Sequence, residues 1–167
     1  MSLGWNDTVS NIGVQDEPTL EERPASPQMR LLVVDDHEAF RRFVCSTIRA
    51  QTNLQVVGEP QDGLQAVQVT EELQPDIVLL DIGLPGMNGL DAARQIGKIA
   101  PKARIIFLTQ ESSHDVVEEA FNRGAWGYVH KTQAGSELLD AINAVGNGRR
   151  FLSSSLNGTG SHPNGKR

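Results

Sequence analysis

The chain has 167 residues, 38% of them hydrophobic, and 16 glycines, so about 48% is apolar or glycine and one modest domain is expected. Its 15 Lys and Arg against 21 Asp and Glu leave a net charge of -6, which argues against a free-standing nucleic-acid binder driven by phosphate neutralisation. A single cysteine cannot close an intramolecular disulfide, and no run approaches the roughly 18 apolar residues of a membrane span or shows a signal-peptide pattern, so no membrane partner is expected and a reducing cytoplasm fits.

Residues 1–28 carry five acids (Asp7, Asp16, Glu17, Glu21 and Glu22) against Arg23, are interrupted by Pro18, Pro24 and Pro27, and show no sustained period. Such a segment buries too little to offset its ordering entropy and reads as a disordered tail. Short apolar runs then recur at Leu31 to Val34, Leu54 to Val57, Ile77 to Leu80, Ile105 to Leu108 and Gly127 to Val129. Between the first two, Phe40, Phe43, Val44 and Ile48 follow helical spacing. The next intervals hold Leu64 and Val67 beside Ala66, Val69 and Leu73; then Leu90, Ala93 and Ile96; then Val116, Val117, Ala120 and Phe121. Leu138, Ile142 and Val145 form the last such set. The runs are too short for helices and too uniformly apolar for one-sided strands, so they read as parallel strands covered on both faces. From Ser153 to Arg167 the composition of Ser, Gly, Asn and Pro reads as a second flexible end, leaving residues 29–152 as the domain.

Right-handed crossovers turn this five-fold βα repeat into an α/β fold: a doubly wound five-stranded parallel sheet of order 2-1-3-4-5 with helices on both faces. Ligands of such a sheet bind outside the carboxyl ends of its strands. Those ends carry Asp35 and Asp36 on the first strand, Asp81 on the third, Thr109 on the fourth, and Lys131 just after the fifth, whereas Glu59 and Pro60 end the second strand furthest from the others. Three carboxylates in one crevice repel, so a positive charge must sit among them. Oxygen ligands with room for water favour Mg2+ over a closed calcium cage, and no His or Cys cluster proposes zinc. An Asp beside such a metal and a Lys is equipped to form an acyl phosphate, and Asp81 is the central candidate.

These residues resemble the receiver domain of bacterial two-component response regulators. The likeness rests on Leu-Leu-Val-Val-Asp-Asp at 31–36, Asp-Ile-Val-Leu-Leu-Asp at 76–81, Leu-Pro-Gly-Met-Asn-Gly at 84–89, Ile-Ile-Phe-Leu-Thr at 105–109 and Gly-Ala-Trp-Gly-Tyr-Val-His-Lys at 124–131. It implies a flavodoxin-like receiver fold in which Asp81 accepts a phosphoryl group from a sensor histidine kinase. It further implies that Asp36, Asp81 and the Gly83 carbonyl bind Mg2+, with Asp35 acting through water. Lys131 and Thr109 would contact the phosphoryl oxygens. Tyr128 would be the switch aromatic, turning inward as Thr109 moves toward the phosphate. The face of the fourth helix, fifth strand and fifth helix is the expected surface for partners or a homodimer. Gln110, Glu111 and Thr132 depart from or vary within the pattern; Gln110 and Glu111 are candidates for tuning phosphorylation. Residues 145–156 resemble the receiver exit of LuxR-type (NarL/FixJ) regulators, which continue into a helix-turn-helix domain. No such domain follows Leu156 in this sequence, so any control of transcription through DNA would need one beyond it.

Two other readings stand beside this one. A phosphorylation-independent or stand-alone binding module is motivated by Gln110. An aspartyl-phosphate phosphatase or phosphotransferase is the enzymatic rival, although the second Asp such hydrolases keep two residues after the nucleophile is Gly83 here. His37, His114, His130 and His162 lack ligand spacing and read as surface or turn residues, and Cys45 reads as an inert, partly buried thiol.

Overall fold

The computed structural model describes residues 27–157. The expectations for residues 1–26 and 158–167 lie outside the described residues. Within them the chain runs β1 (Met29–Val34), α1 (Glu38–Arg49), β2 (Leu54–Gly58), α2 (Gly63–Leu73), β3 (Ile77–Leu80), α3 (Gly89–Ile99), β4 (Arg104–Thr109), α4 (His114–Asn122), β5 (Gly127–His130), α5 (Ala134–Gly146) and β6 (Phe151–Leu152). Two single 3-10 turns, Lys131–Gln133 and Ser154–Leu156, complete it. All strand pairings are parallel, in the order β2-β1-β3-β4-β5-β6.

Successive residues of a strand face opposite sides, so each central strand feeds two cores. Leu31 and Val33 of β1 pack with Val44 and Ile48 of α1 and Leu138 and Ile142 of α5. Leu32 and Val34 pack on the other face with Ala66 of α2, Ile96 of α3 and Ala120 of α4. Leu31, Leu32, Ile48, Ile96, Leu138 and Ile142 are fully buried, each contributing about 1.5–3 kcal/mol relative to exposure. Asp62, Asn88 and Ser113 cap α2, α3 and α4 by accepting backbone N–H bonds, which fixes where each helix leaves the carboxyl edge.

The structure corrects the expectations in three places. The sheet has six strands: the parallel pair Phe151–Leu152 adds to the β5 edge, too short to show any period in the sequence. Residues 153–156, expected to belong to a flexible end, are packed: Ser153 is fully buried and Leu156 is 7% exposed within the second core. Glu137 of α5 accepts the Ser153 and Ser154 hydroxyls and the Ser154 N–H, giving these polar residues a reason to stay packed. Finally, Phe43 and Leu64 face solvent, at 43% and 55% exposure, and the inward stripe of α1 is Arg41, Val44, Cys45 and Ile48.

Candidate functional site

The carboxyl ends of β1 and β3, which are adjacent strands, bring Asp35, Asp36 and Asp81 together. Asp81 follows directly on the buried run Ile77–Leu80 and is itself 5% exposed. Its position depends on the start of α3: Gly89 N–H donates to the Ile82 carbonyl at 2.8 Å, and a Cβ on Gly89 would lie 2.0 Å from the Asp81 carbonyl oxygen. Only a glycine allows the helix to approach so closely.

Lys131, immediately after β5, extends its ammonium between two carboxylates. Its Nζ is 2.7 Å from Asp35 Oδ2 and 3.0 Å from Asp81 Oδ2, and it lies 4.7 Å above the centre of the Phe40 ring. All three side chains are under a tenth exposed. Burial by itself would lower the Lys131 pKa, but hydrogen bonds and charge from Asp35 and Asp81 outweigh it and hold the ammonium above its ordinary value. Lys131 therefore supplies part of the counter-charge that the three clustered carboxylates require.

Asp35 Oδ1 accepts the His37 N–H at 2.8 Å, and Asp81 Oδ1 accepts the Gly83 N–H at 3.3 Å. Asp36 is more open, with 34% of its side chain exposed and its Oδ1 3.3 Å from His37 Nδ1. Ligand atoms of Asp35, Asp36, His37 and Asp81 all lie within 4.8 Å of one another, a spacing that can hold a metal ion. Sequence reasoning set His37 aside for want of ligand spacing; its adjacency to Asp36 was the signal that could have found it.

Thr109 and Tyr128 do not reach the carboxylates directly but converge on the β4–α4 loop. Thr109 Oγ1 accepts the Glu111 N–H at 3.4 Å, and the Tyr128 phenol donates to the Glu111 carbonyl at 2.7 Å. Tyr128 is fully buried against Phe107. Burial, then the charges of Glu111 and Asp81, raise its pKa and keep it a phenol. His130 grips the neighbouring residue: its Nε2 lies 3.0 Å from the Gln110 carbonyl, which can only accept, and its Nδ1 accepts from the Thr132 N–H.

Glu59, as expected, stays apart from the three carboxylates. It accepts the Cys45 thiol at 3.2 Å and Arg49 Nη2 at 3.2 Å. The thiol's donation, against the opposing effect of burial, and Arg49 together hold Glu59 below its ordinary pKa. Burial and Glu59 push the Cys45 thiol up to about 12, which leaves it protonated and unreactive.

Among the described residues no helix is long and apolar enough to cross a membrane. The family model of the response regulator receiver domain matches residues 31–143. The chain is 40% identical over 116 residues to the chemotaxis protein CheY of Thermotoga maritima, covering 70% of this chain and 96% of that one. It is 36% identical over 130 residues to the transcriptional regulatory protein LiaR of Bacillus subtilis, covering 78% of this chain and 62% of that protein. It is also 34% identical over 126 residues to the nitrate/nitrite response regulator protein NarL of Escherichia coli, covering 75% and 58%. The chain thus spans about three fifths of the length of these two longer relatives. A crystal structure of a LuxR-family two-component response regulator from Aurantimonas sp. SI85-9A1 superposes with a TM-score of 0.75 at 35% identity, over 78% of this chain and 93% of that one. The cluster of Asp35, Asp36, His37 and Asp81 is consistent with a phosphoacceptor signalling domain, and the chain belongs to the response regulator receiver family.

Proposed function

We propose that Asp81 is the phosphoacceptor and that its donor is a phosphohistidine on a sensor histidine kinase. A carboxylate oxygen of Asp81 forms the new P–O bond while the P–N bond to the donor imidazole breaks, and the electron pair leaves with the imidazole, which takes up a proton. The observation that carries this reading is that Asp81 shares one cluster with Asp35 and Asp36 and lies 3.0 Å from the Lys131 ammonium.

Hard oxygen donors, partly open to solvent at Asp36, suit Mg2+. Asp36, Asp81 and the Gly83 carbonyl would hold it, with Asp35 acting through water, and it would neutralise charge on the transferring group. The chain's own residues do the rest. Lys131 turns from the Asp81 carboxylate to the phosphoryl oxygens, and Thr109 hydrogen-bonds to them. A phosphoryl group adds roughly -1.5 to -2 charge and strong acceptors, which shifts the balance between two packings of the β4–α4 loop. Tyr128 reads that shift, while Gln110 and Glu111 tune it through their backbone carbonyls.

The message would leave through the face of α4, β5 and α5, by partner binding or homodimerisation. LiaR, named as a transcriptional regulator, motivates control of transcription through a helix-turn-helix domain as the output of a longer protein of this type. The test is intact mass spectrometry of wild type and Asp81→Asn after acetyl phosphate, with and without Mg2+, alongside size-exclusion chromatography. One added phosphoryl group, in wild type with Mg2+ only, supports the reading. No adduct with either acetyl phosphate or a phosphorylated kinase overturns it, and a shift in elution identifies dimerisation as the output.

A further inference from the structure

The main chain of Asp35 is held from both sides. Its N–H donates to the Pro60 carbonyl at 3.2 Å, and its carbonyl accepts from Arg41 Nη1 at 2.8 Å. Both contacts trace to the end of β2. Pro60 follows Glu59, and Glu59 Oε1 lies 3.8 Å from Arg41 Nε. Arg41 sits on α1, six residues after Asp35, and is 8% exposed.

A buried guanidinium is costly unless its donors are used and its charge is paired. Here Nη1 serves one backbone carbonyl, Glu59 supplies the opposing charge, and Nε has no hydrogen-bond partner. An apolar residue of similar length would fill this place without that penalty. What it would not do is hold the Asp35 carbonyl.

That carbonyl matters because Asp35 and Asp36 differ in how their side chains are aimed. The Asp35 carboxylate is fixed by Lys131 and the His37 N–H. The Asp36 carboxylate meets the 70%-exposed His37 ring, so its aim depends on the peptide that joins it to Asp35. That peptide begins with the carbonyl that Arg41 grips.

We infer that Arg41, backed by Glu59, is a positioning residue of the metal pocket: it locks the Asp35–Asp36 peptide so that both carboxylates face one point. The inference rests on the Mg2+ reading of the site. Groups around a ligand set that orient it typically change metal affinity 10- to 100-fold when lost. Arg41 acts one covalent step further back, through the backbone, so the lower end of that range is expected.

The experiment is a Mg2+ titration of the unphosphorylated full chain, followed by amide NMR shifts at Asp35, Asp36 and Asp81, for wild type, Arg41→Met and Glu59→Gln. Acetyl phosphate labelling at saturating Mg2+ and thermal melting are measured on the same samples. Arg41→Met is expected to weaken Mg2+ binding by about tenfold while the labelling rate at saturating Mg2+ returns to the wild-type value. Glu59→Gln, which keeps the side-chain volume, weakens binding in the same direction by less. Wild-type Mg2+ affinity in both variants, with only a lowered melting temperature, overturns the proposal and leaves Arg41 a packing residue. Should Arg41→Met fail to fold, Glu59→Gln decides alone. Wild type giving no Mg2+-dependent shifts at the three aspartates is a separate result, which removes the metal reading and this inference with it.

Discussion

The Tyr128 phenol donates to the Glu111 carbonyl at 2.7 Å, while the Tyr128 carbonyl accepts the Ser153 N–H at 2.9 Å. Two residues further along β5 the pattern repeats: the His130 ring holds the Gln110 carbonyl, and the His130 N–H donates to Ser153 Oγ at 3.1 Å. Two alternate polar-ended positions of β5, Tyr128 and His130, therefore connect the loop after Thr109 to the segment after β6. Tyr128→Phe keeps the ring against Phe107 and removes one hydrogen bond. A loss of about 1 kcal/mol in urea unfolding is expected. Amide exchange should quicken at residues 110–113 and stay unchanged in β1. Unchanged exchange in the loop would show that the phenol does not restrain it.

Lys131 separates two buried carboxylates, so Lys131→Met leaves them facing each other. Removing one partner of a buried ion pair costs roughly 3 kcal/mol. Divalent cation can replace the lost charge, so Mg2+ should raise the melting temperature of Lys131→Met by more than it raises that of wild type. Equal increments would mean that the ammonium and the metal do not share the site. In wild type the elevated Lys131 pKa fixes the sign of the alkaline response. Its contribution is complete below the unfolded value of about 10.4 and is lost as pH rises through the folded one.

Glu137 gives the opposite limb. Burial opposes its ionisation, but the bonds from the Ser153 hydroxyl and from the Ser154 hydroxyl and N–H hold it below its ordinary pKa. Stability from this group is present above the unfolded value of about 4.3 and is lost as pH falls through the folded one. Protection from hydrogen exchange at the Ser153 and Ser154 amides, relative to their intrinsic rates, should therefore fall in acid ahead of protection in β3. Glu137→Gln should bring that lower protection to neutral pH. If Glu137→Gln leaves both amides as protected as in wild type, the carboxylate does not hold the exit segment.

The strand ends were legible because buried parallel strands need continuous apolar runs, and a polar residue directly after one has nowhere to sit but the rim. That logic placed Asp35, Asp36, Asp81, Thr109 and Lys131, and Ile77–Leu80 is β3 as expected from the sequence. It failed where function runs through the backbone. Nothing in the spelling of α1 distinguishes Arg41, buried on the Asp35 carbonyl, from Arg42, paired in solvent with Glu38. The ring contacts of His130 go to a main-chain carbonyl and to Thr132, partners with no sequence pattern of their own. β6 was missed because two residues carry no period.

Gly83 and Gly89 flank the same loop and should respond differently to a methyl group. At Gly83 an added Cβ meets nothing within 4 Å, so Gly83→Ala should change stability by no more than about 0.5 kcal/mol. At Gly89 the Cβ would stand 2.0 Å from the Asp81 carbonyl and 2.7 Å from Ile82 Cα, both backbone atoms that cannot turn aside. Gly89→Ala must push α3 away from β3, at about 1–3 kcal/mol for overpacking, and the displaced partner is the peptide of Asp81 itself. Phosphorylation by acetyl phosphate should fall in Gly89→Ala in samples shown to be folded by circular dichroism. A folded Gly89→Ala labelled at the wild-type rate would mean that Asp81 keeps its aim without the close approach of α3.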